Sequence, residues 1–276
     1  MVLKGNACSP EQLAILSWTA RLGAVTAEAL ARREACTTAS ARARLLALVR
    51  TGLVSRRQLL AGAPSLYTLT RAGLRASGLR GLEPARVSVA GARHAIACAA
   101  AAAALERAYP DHTLMGEREL RREERAAGAP LASACLREGP GGGQLLHRPD
   151  LVLWQGGAAQ QLPVAIEVEL TVKAPRRLLE ICRAWARCRC VAGTLYFAAP
   201  DVQRPLARAL AHADAGERVG LLGLDALEED RPGHGGSEDD GRVQGGPEDD
   251  DPCGRGSGAQ ADRTGAWTER TIPGTA

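Results

Sequence analysis

The sequence predicts a mixed α/β protein, α+β overall, and three observations support this fold class. Residues 9–78 show three helical segments followed by two short strands. Residues 93–227 alternate between helical and strand patterns, as expected for a mixed sheet with helices packed against it. Residues 228–276 are rich in Gly, Asp, Glu and Pro and hold too little apolar surface to fold, so we expect a disordered acidic tail.

The first region carries clear helix and turn signals. Ser9 caps the first helix, with Pro10 in its first turn and Gln12 three residues after the cap. Thr26 caps a second helix, and Thr37 or Thr38 caps a third. Two strands, 53–60 and 65–69, flank a Gly- and Pro-containing turn. Three helices and a two-stranded wing predict a winged helix-turn-helix over residues 9–78.

The second region follows an expected linker at residues 79–92. An Ala-rich helix over 93–109 is too uniformly apolar for a surface element, and we expect it against the sheet or in a dimer contact. Residues 126–143 are expected to form a loop. The remaining predicted elements are strands at 112–121, 151–154, 164–170, 191–198 and 221–224, and helices at 175–189 and 205–213.

Charge and cysteine content limit the classes of partner and compartment. Residues 1–227 carry 30 basic and 19 acidic side chains, a net charge of +11, whereas the tail is acidic. A basic body suits a polyanion such as double-stranded DNA, although solvated surface charge is the alternative. Eight cysteines show no paired spacing, and no signal peptide precedes them, which favours reduced thiols and a cytoplasmic location. The longest apolar run, 95–105, is too short to cross a membrane.

The motif of greatest interest is Arg148-Pro149-Asp150 followed by the segment 167–173, EVELTVK. Glu167 and Glu169 lie two apart on a strand and therefore share one face. Together with Asp150 they could hold Mg²⁺ (or Mn²⁺), whose preferred ligands are carboxylate oxygens. Solvated acids on an exposed sheet edge are the alternative. His147 is expected to be a loop or structural residue.

Lysine usage adds weight to Lys173. Of 35 basic residues only two, Lys4 and Lys173, are lysines. Lys presents a compact point charge where Arg presents a wide fork. A lysine close to an acidic strand is therefore a candidate for catalytic chemistry.

This arrangement resembles the PD-(D/E)XK nuclease superfamily, whose signature is an Asp after Pro and then an acid-x-Lys on the next strand. The resemblance implies a restriction-endonuclease-like mixed-sheet domain at 93–227 and a catalytic set of Asp150, Glu167, Glu169 and Lys173, with Asp150 and Glu167 as metal ligands. Glu169 stands where the signature has Lys, so either Glu169 replaces that residue or Lys173 supplies the amine. Glu117 or Glu119 could furnish an additional acid seen in some members.

The whole layout, a winged helix ending in Leu66-Tyr67-Thr68-Leu69-Thr70-Arg71-Ala72-Gly73 and then these acidic motifs, is similar to the replication-relaxation family of plasmids and mobile elements. That resemblance implies a DNA-binding protein of replication control, with nuclease activity in question.

In a winged helix the third helix enters the major groove by its N-terminal end, and the wing lies near the DNA backbone or the minor groove. Hydroxyl and guanidinium groups suit contacts to phosphate and guanine. The candidate DNA-binding residues are therefore Thr37, Thr38, Ser40, Arg42 and Arg44 on the helix and Arg56 and Arg57 on the wing.

Three functional classes stay open at this point. The first is a Mg²⁺-dependent DNA endonuclease. The second is a non-catalytic winged-helix regulator that uses its α/β domain for assembly. The third is a protein-interaction adaptor with a degenerate nuclease-like domain.

Overall fold

The computed structural model describes residues 8–139, 143–155 and 161–227, so the predicted acidic tail lies outside the described residues. Within these ranges the protein is a mixed α/β structure, as the sequence predicts. None of the helices in these ranges is both long enough and apolar enough to span a bilayer.

The N-terminal region contains four helices and one pair of antiparallel strands. Its elements are α1 (Pro10–Leu22), α2 (Ala27–Arg33), α3 (Thr38–Arg50), β1 (Val54–Arg57), β2 (Leu66–Leu69) and α4 (Arg71–Ser77). Ser9 and Gln12 form the predicted capping box of α1, and Thr37 caps α3. An isolated β-bridge between Val25 and Tyr67 places the start of α2 beside the strand pair.

The second region is built on a five-stranded mixed sheet. Its elements are α5 (Val89–Ala108), β3 (Thr113–Gly116), α6 (Glu117–Ala127), β4 (Ala134–Glu138), β5 (Gln144–His147), β6 (Leu151–Trp154), β7 (Val164–Glu169), α7 (Pro175–Arg187), β8 (Gly193–Ala198), α8 (Pro200–His212), β9 (Val219–Gly223) and a short 3-10 helix (Leu224–Leu227). The strand order is β3-β6-β7-β8-β9. The pairs β3–β6 and β6–β7 are antiparallel, whereas β7–β8 and β8–β9 are parallel.

Two apolar layers cover the two faces of this sheet. Ile166 and Val168 belong to a core that α5 shares with the N-terminal helices. On the opposite face Ala165 and Tyr196 pack in a second core with side chains of α7 and α8. The alternation of side chains along β7 therefore separates the two layers. The Ala-rich helix α5 is buried between the sheet and α2, as one of its two sequence interpretations predicts.

The N-terminal region packs tightly on the α/β region. A Cβ added at Gly116, where β3 ends and α6 begins, would lie 2.5 Å from the carbonyl oxygen of Arg21 in α1. Contacts this short do not occur between real side chains and backbone, so the close approach requires Gly. One continuous core accordingly runs from the helices of the N-terminal region to one face of the sheet.

Four predicted segments differ from the structure. Only residues 113–116 of the predicted 112–121 strand are extended, because the charged segment that follows forms α6, with Glu117 and Glu119 in its first turn and a left-handed Gly128 at its end. The predicted loop at 126–143 contains β4, which pairs with β5 in a separate two-stranded sheet. Helices α5 and α8 also begin earlier than predicted, at Val89 after the cap residue Ser88 and at Pro200.

Candidate functional site

The acidic motifs meet at one end of the adjacent strands β6 and β7. Asp150 directly precedes β6, and the antiparallel register pairs Leu151 with Ile166, so Asp150 and Glu167 lie side by side across the two strands. Glu167 and Glu169 are each only 6% exposed. The alternative of solvated acids on an open sheet edge therefore does not describe them.

Asp150 is held by one backbone donor and faces one imidazole. The backbone N–H of Val168 donates to its Oδ2 at 2.8 Å. Its Oδ1 lies 3.2 Å from Nε2 of His94, a residue of α5. The hydrogen bond to Asp150 raises the pKa of His94, although burial acts in the opposite direction. The carboxylate is thus oriented by the neighbouring strand and turned toward α5.

Glu167 is buried against a different set of groups. His147 Nε2 lies 2.8 Å from its Oε1, and the indole N–H of Trp185 donates to the same oxygen at 3.1 Å. Burial raises the pKa of Glu167, the charge of His147 opposes that shift, and the charge of Asp150 adds to it. His147, which the sequence suggested was structural, is therefore a direct partner of the predicted catalytic acid.

Glu169 and Lys173 form an ion pair across four residues at the end of β7. Burial lowers the pKa of Lys173, while the charges of Glu167 and Asp150 act to raise it. The lysine therefore lies in the combined field of the predicted acids. The structure thus brings Asp150, Glu167, Glu169 and Lys173 into one neighbourhood, each acid with its own partner.

The closest group of potential metal ligands is not the predicted acidic set. Among the residues that the structure describes, a single group of three offers ligand atoms within 4.8 Å of one another, namely His94, Cys98 and Asp150. His94 and Cys98 were not among the residues predicted from the sequence, although their i, i+4 spacing on α5 is a recognisable signal. The Ala-rich character of that helix led to a purely architectural interpretation.

The two upstream acids suggested by the resemblance lie on α6. Glu117 pairs with Arg121, and its backbone N–H donates to the carbonyl of Asp150 at 2.9 Å. Glu119 is buried and forms ion pairs with Arg21 and Arg122. Glu119 therefore serves the contact between α6 and α1, whereas Glu117 stays near Asp150.

The predicted DNA-binding residues lie on α3 and on the strand pair. The hydroxyl of Thr37 accepts from the backbone N–H of Ser40 at 3.2 Å and so caps α3, and Thr38 is the first residue of that helix. Arg42 pairs loosely with Glu28 at 3.7 Å, and Arg44 pairs with Glu11 at 2.6 Å.

Helix α3 and β1 also share a surface depression. Arg42 and Arg56 both line a concavity of about 390 Å³ beside Tyr67. Burial raises the pKa of Tyr67, and the charges of both arginines oppose that shift. Arg56 donates to the hydroxyl of Ser65 at 3.1 Å, and its neighbour Arg57 is exposed. Two arginines from different elements therefore converge on one concave surface.

No family model, no curated protein and no solved structure matches this chain.

Proposed function

We propose that this protein binds double-stranded DNA through α3 and the β1–β2 pair. The observation that supports this function most directly is the convergence of Arg42 and Arg56 on one depression between the helix and the strands. Guanidinium groups bind phosphate oxygens through paired hydrogen bonds, and a concave basic surface fits a duplex backbone. The order of three helices and two strands is also that of a winged helix-turn-helix.

Electrostatics favour an anionic partner at this surface. The Arg42–Glu28 pair is about half exposed, and exposed pairs contribute little to stability, so a phosphate can replace the glutamate at small loss. A second depression, of about 700 Å³, is lined by Arg71, Arg75 and Arg80 at the end of α4. Residues 1–227 carry more basic than acidic side chains, and this net positive charge also favours an anionic partner.

In keeping with the resemblance to the replication-relaxation family, we place this DNA binding in the control of plasmid or mobile-element replication. A cytoplasmic location, where DNA is accessible, and assembly as a homodimer belong to the same proposal. The seven cysteines of the described ranges form no disulfide with one another, which is compatible with that location.

A Mg²⁺-dependent nuclease is the second candidate function. The juxtaposition of Asp150 and Glu167 across β6 and β7, with Lys173 in their field, favours it. The donor set fits Mg²⁺ poorly, however. Oε1 of Glu167 already accepts from Trp185 and lies 2.8 Å from His147 Nε2, Glu167 is buried, and Oδ2 of Asp150 accepts from the backbone N–H of Val168. Mg²⁺ prefers several waters and freely available oxygen ligands. We therefore assign no step of hydrolysis to these residues.

DNA binding is tested by fluorescence anisotropy with a short mixed-sequence duplex at several salt concentrations. Replacing both Arg42 and Arg56 by Ala should weaken binding at least about 10-fold at physiological salt. It should also reduce the slope of log affinity against log salt concentration by the amount expected for the loss of about two phosphate contacts. Replacing both Arg204 and Arg208, two exposed arginines of α8, by Ala is the charge-matched control and should behave like wild type. Equal affinity for the double variant and wild type would contradict the proposed surface. No binding by wild type would favour the protein-interaction adaptor.

The second candidate is tested on supercoiled plasmid with Mg²⁺ or Mn²⁺. As a DNA-binding regulator the protein should leave the plasmid intact at concentrations that saturate binding. Nicking by wild type that disappears in Asp150→Ala and persists in Asp201→Ala, an exposed acid of α8, would establish the nuclease instead.

A further inference from the structure

The junction of α5 and β6 contains a cluster of three chemically different ligands. His94 and Cys98 are four residues apart on α5, so both side chains project from the same face of the helix. Asp150 precedes β6, a strand of the sheet that α5 covers. An imidazole, a thiol and a carboxylate thus meet where the helix crosses the end of the strand.

One potential ligand atom from each of the three residues lies within 4.8 Å of the other two. Cys98 Sγ lies 3.6 Å from Nδ1 and 3.7 Å from Nε2 of His94, and Nε2 lies 3.2 Å from Oδ1 of Asp150. In tetrahedral zinc sites the metal–ligand bonds are about 2.0–2.3 Å, so neighbouring ligand atoms stand roughly 3.3–3.6 Å apart. Because Sγ is almost equally far from both ring nitrogens, the imidazole of His94 must rotate before one nitrogen points between Sγ and Oδ1, and the partial exposure of His94 leaves room for that rotation.

The carboxylate is oriented as metal ligands usually are. The backbone N–H of Val168 occupies Oδ2 of Asp150 and leaves Oδ1 turned toward His94. Such partners outside the coordination sphere fix the orientation of a ligand and tune its basicity. The side chain of His94 is 44% exposed, which provides an entry path and room for a solvent ligand.

The surrounding charges favour a cation at this point. Burial raises the pKa of the Cys98 thiol, and the charges of Asp150, Glu167 and Glu117 act in the same direction. These three acids would attract a metal ion, which would displace the proton of the thiol on binding.

We infer that His94, Cys98 and Asp150 form a binding site for a transition-metal ion, with Zn²⁺ as the best fit and an open fourth position. Thiolate and imidazole select zinc and its neighbours, whereas Mg²⁺ takes oxygen ligands. The site is independent of DNA binding by α3. It shares Asp150 with the nuclease candidate but not Glu167.

The inference is tested with the full-length chain after removal of metal by a chelator. Titration with Co²⁺ should produce the charge-transfer absorption of a thiolate–cobalt bond, saturating at one ion per chain. Zn²⁺ should abolish that absorption by displacement, and excess Mg²⁺ should not. Zn²⁺ should also raise the melting temperature, because it binds the folded state.

Variants decide which residues hold the ion. Cys98→Ser should remove the charge-transfer absorption, and His94→Gln should weaken Zn²⁺ affinity by more than about 100-fold, since loss of even an outer partner lowers affinity roughly 10- to 100-fold. Cys190→Ser, in a different part of the chain, is the control and should bind like wild type. The melting temperature of each variant without metal verifies that it folds.

Two results would overturn the site: absence of the cobalt absorption in wild type, or its survival in Cys98→Ser. His94→Gln leaves Asp150, Glu167 and the α3 arginines intact, so it separates loss of this site from failure of DNA binding or plasmid nicking.

Discussion

Two buried glutamates, Glu124 on α6 and Glu167 on β7, have different environments, although their basic partners are consecutive residues of the chain. Arg148 donates to Glu124 at 2.9 Å, and His147 contacts Glu167 at 2.8 Å. Glu124 also accepts hydrogen bonds from the backbone N–H of Leu131 and the hydroxyl of Ser133. Glu167 accepts one further bond, from Trp185.

The difference lies in whether the partner can lose its charge. The guanidinium of Arg148 is always protonated, and three donors satisfy the two oxygens of Glu124. An imidazole, unlike a guanidinium, exists in a neutral form as well as a charged one, and burial raises the pKa of Glu167. Permanently paired and fully hydrogen-bonded carboxylates serve structure, whereas buried carboxylates with a perturbed pKa mark candidate functional sites. Glu124 is thus the structural acid of this region and Glu167 the candidate functional one.

The largest effect is expected from Glu124→Ala. The change leaves the Arg148 charge, the Ser133 hydroxyl and the Leu131 N–H without their acceptor, and breaking a buried pair from one side destabilises by about 3–5 kcal/mol. The free energy of unfolding from urea denaturation measures this loss. Glu123→Ala on the same helix, which removes a 39% exposed partner of Arg122, is the control and should lie within about 1 kcal/mol of wild type. If both variants lost a similar free energy of unfolding, the buried contacts of Glu124 would contribute no more to stability than the exposed pair of Glu123.

A smaller and pH-dependent effect is expected from Glu167→Gln. Because the folded protein raises the pKa of Glu167 above its usual 4.5, wild type is favoured at low pH and loses stability as pH rises from that value through the folded pKa. The glutamine keeps an acceptor for Trp185 but does not ionise, so the stability of the variant does not fall with pH for this reason. The free energies of unfolding of variant and wild type should therefore lie within about 1 kcal/mol of each other at pH 4. Above pH 4 the variant should become increasingly more stable than wild type.

Unfolding free energies at several pH values check the sign. If wild type instead gains on the variant as pH rises, His147 stabilises the ionised carboxylate by more than burial opposes it. The contrast between the two glutamates would then disappear.

Local signals were sufficient for most of the fold. The capping box at Ser9 predicted α1, and the short segments of apolar and acidic residues at 151–154 and 164–170 predicted two central strands. The end of β3 and the pairing of β4 with β5 were missed. Hydrogen bonds to segments distant in the chain decide such short strands, and no local pattern records those partners.

For the candidate site, the sequence placed Glu167 and Glu169 on one face of a strand and predicted that Asp150 and Lys173 lie close to them. The pairing of β6 with β7, and the group that each acid contacts, came from the packing of the folded chain. The packing of α5 across the sheet brings His94 and Cys98 to Asp150, and the end of β5 brings His147 to Glu167. Spacing along the chain dictates which side chains share a face of one helix or strand, but contacts between elements depend on how those elements pack.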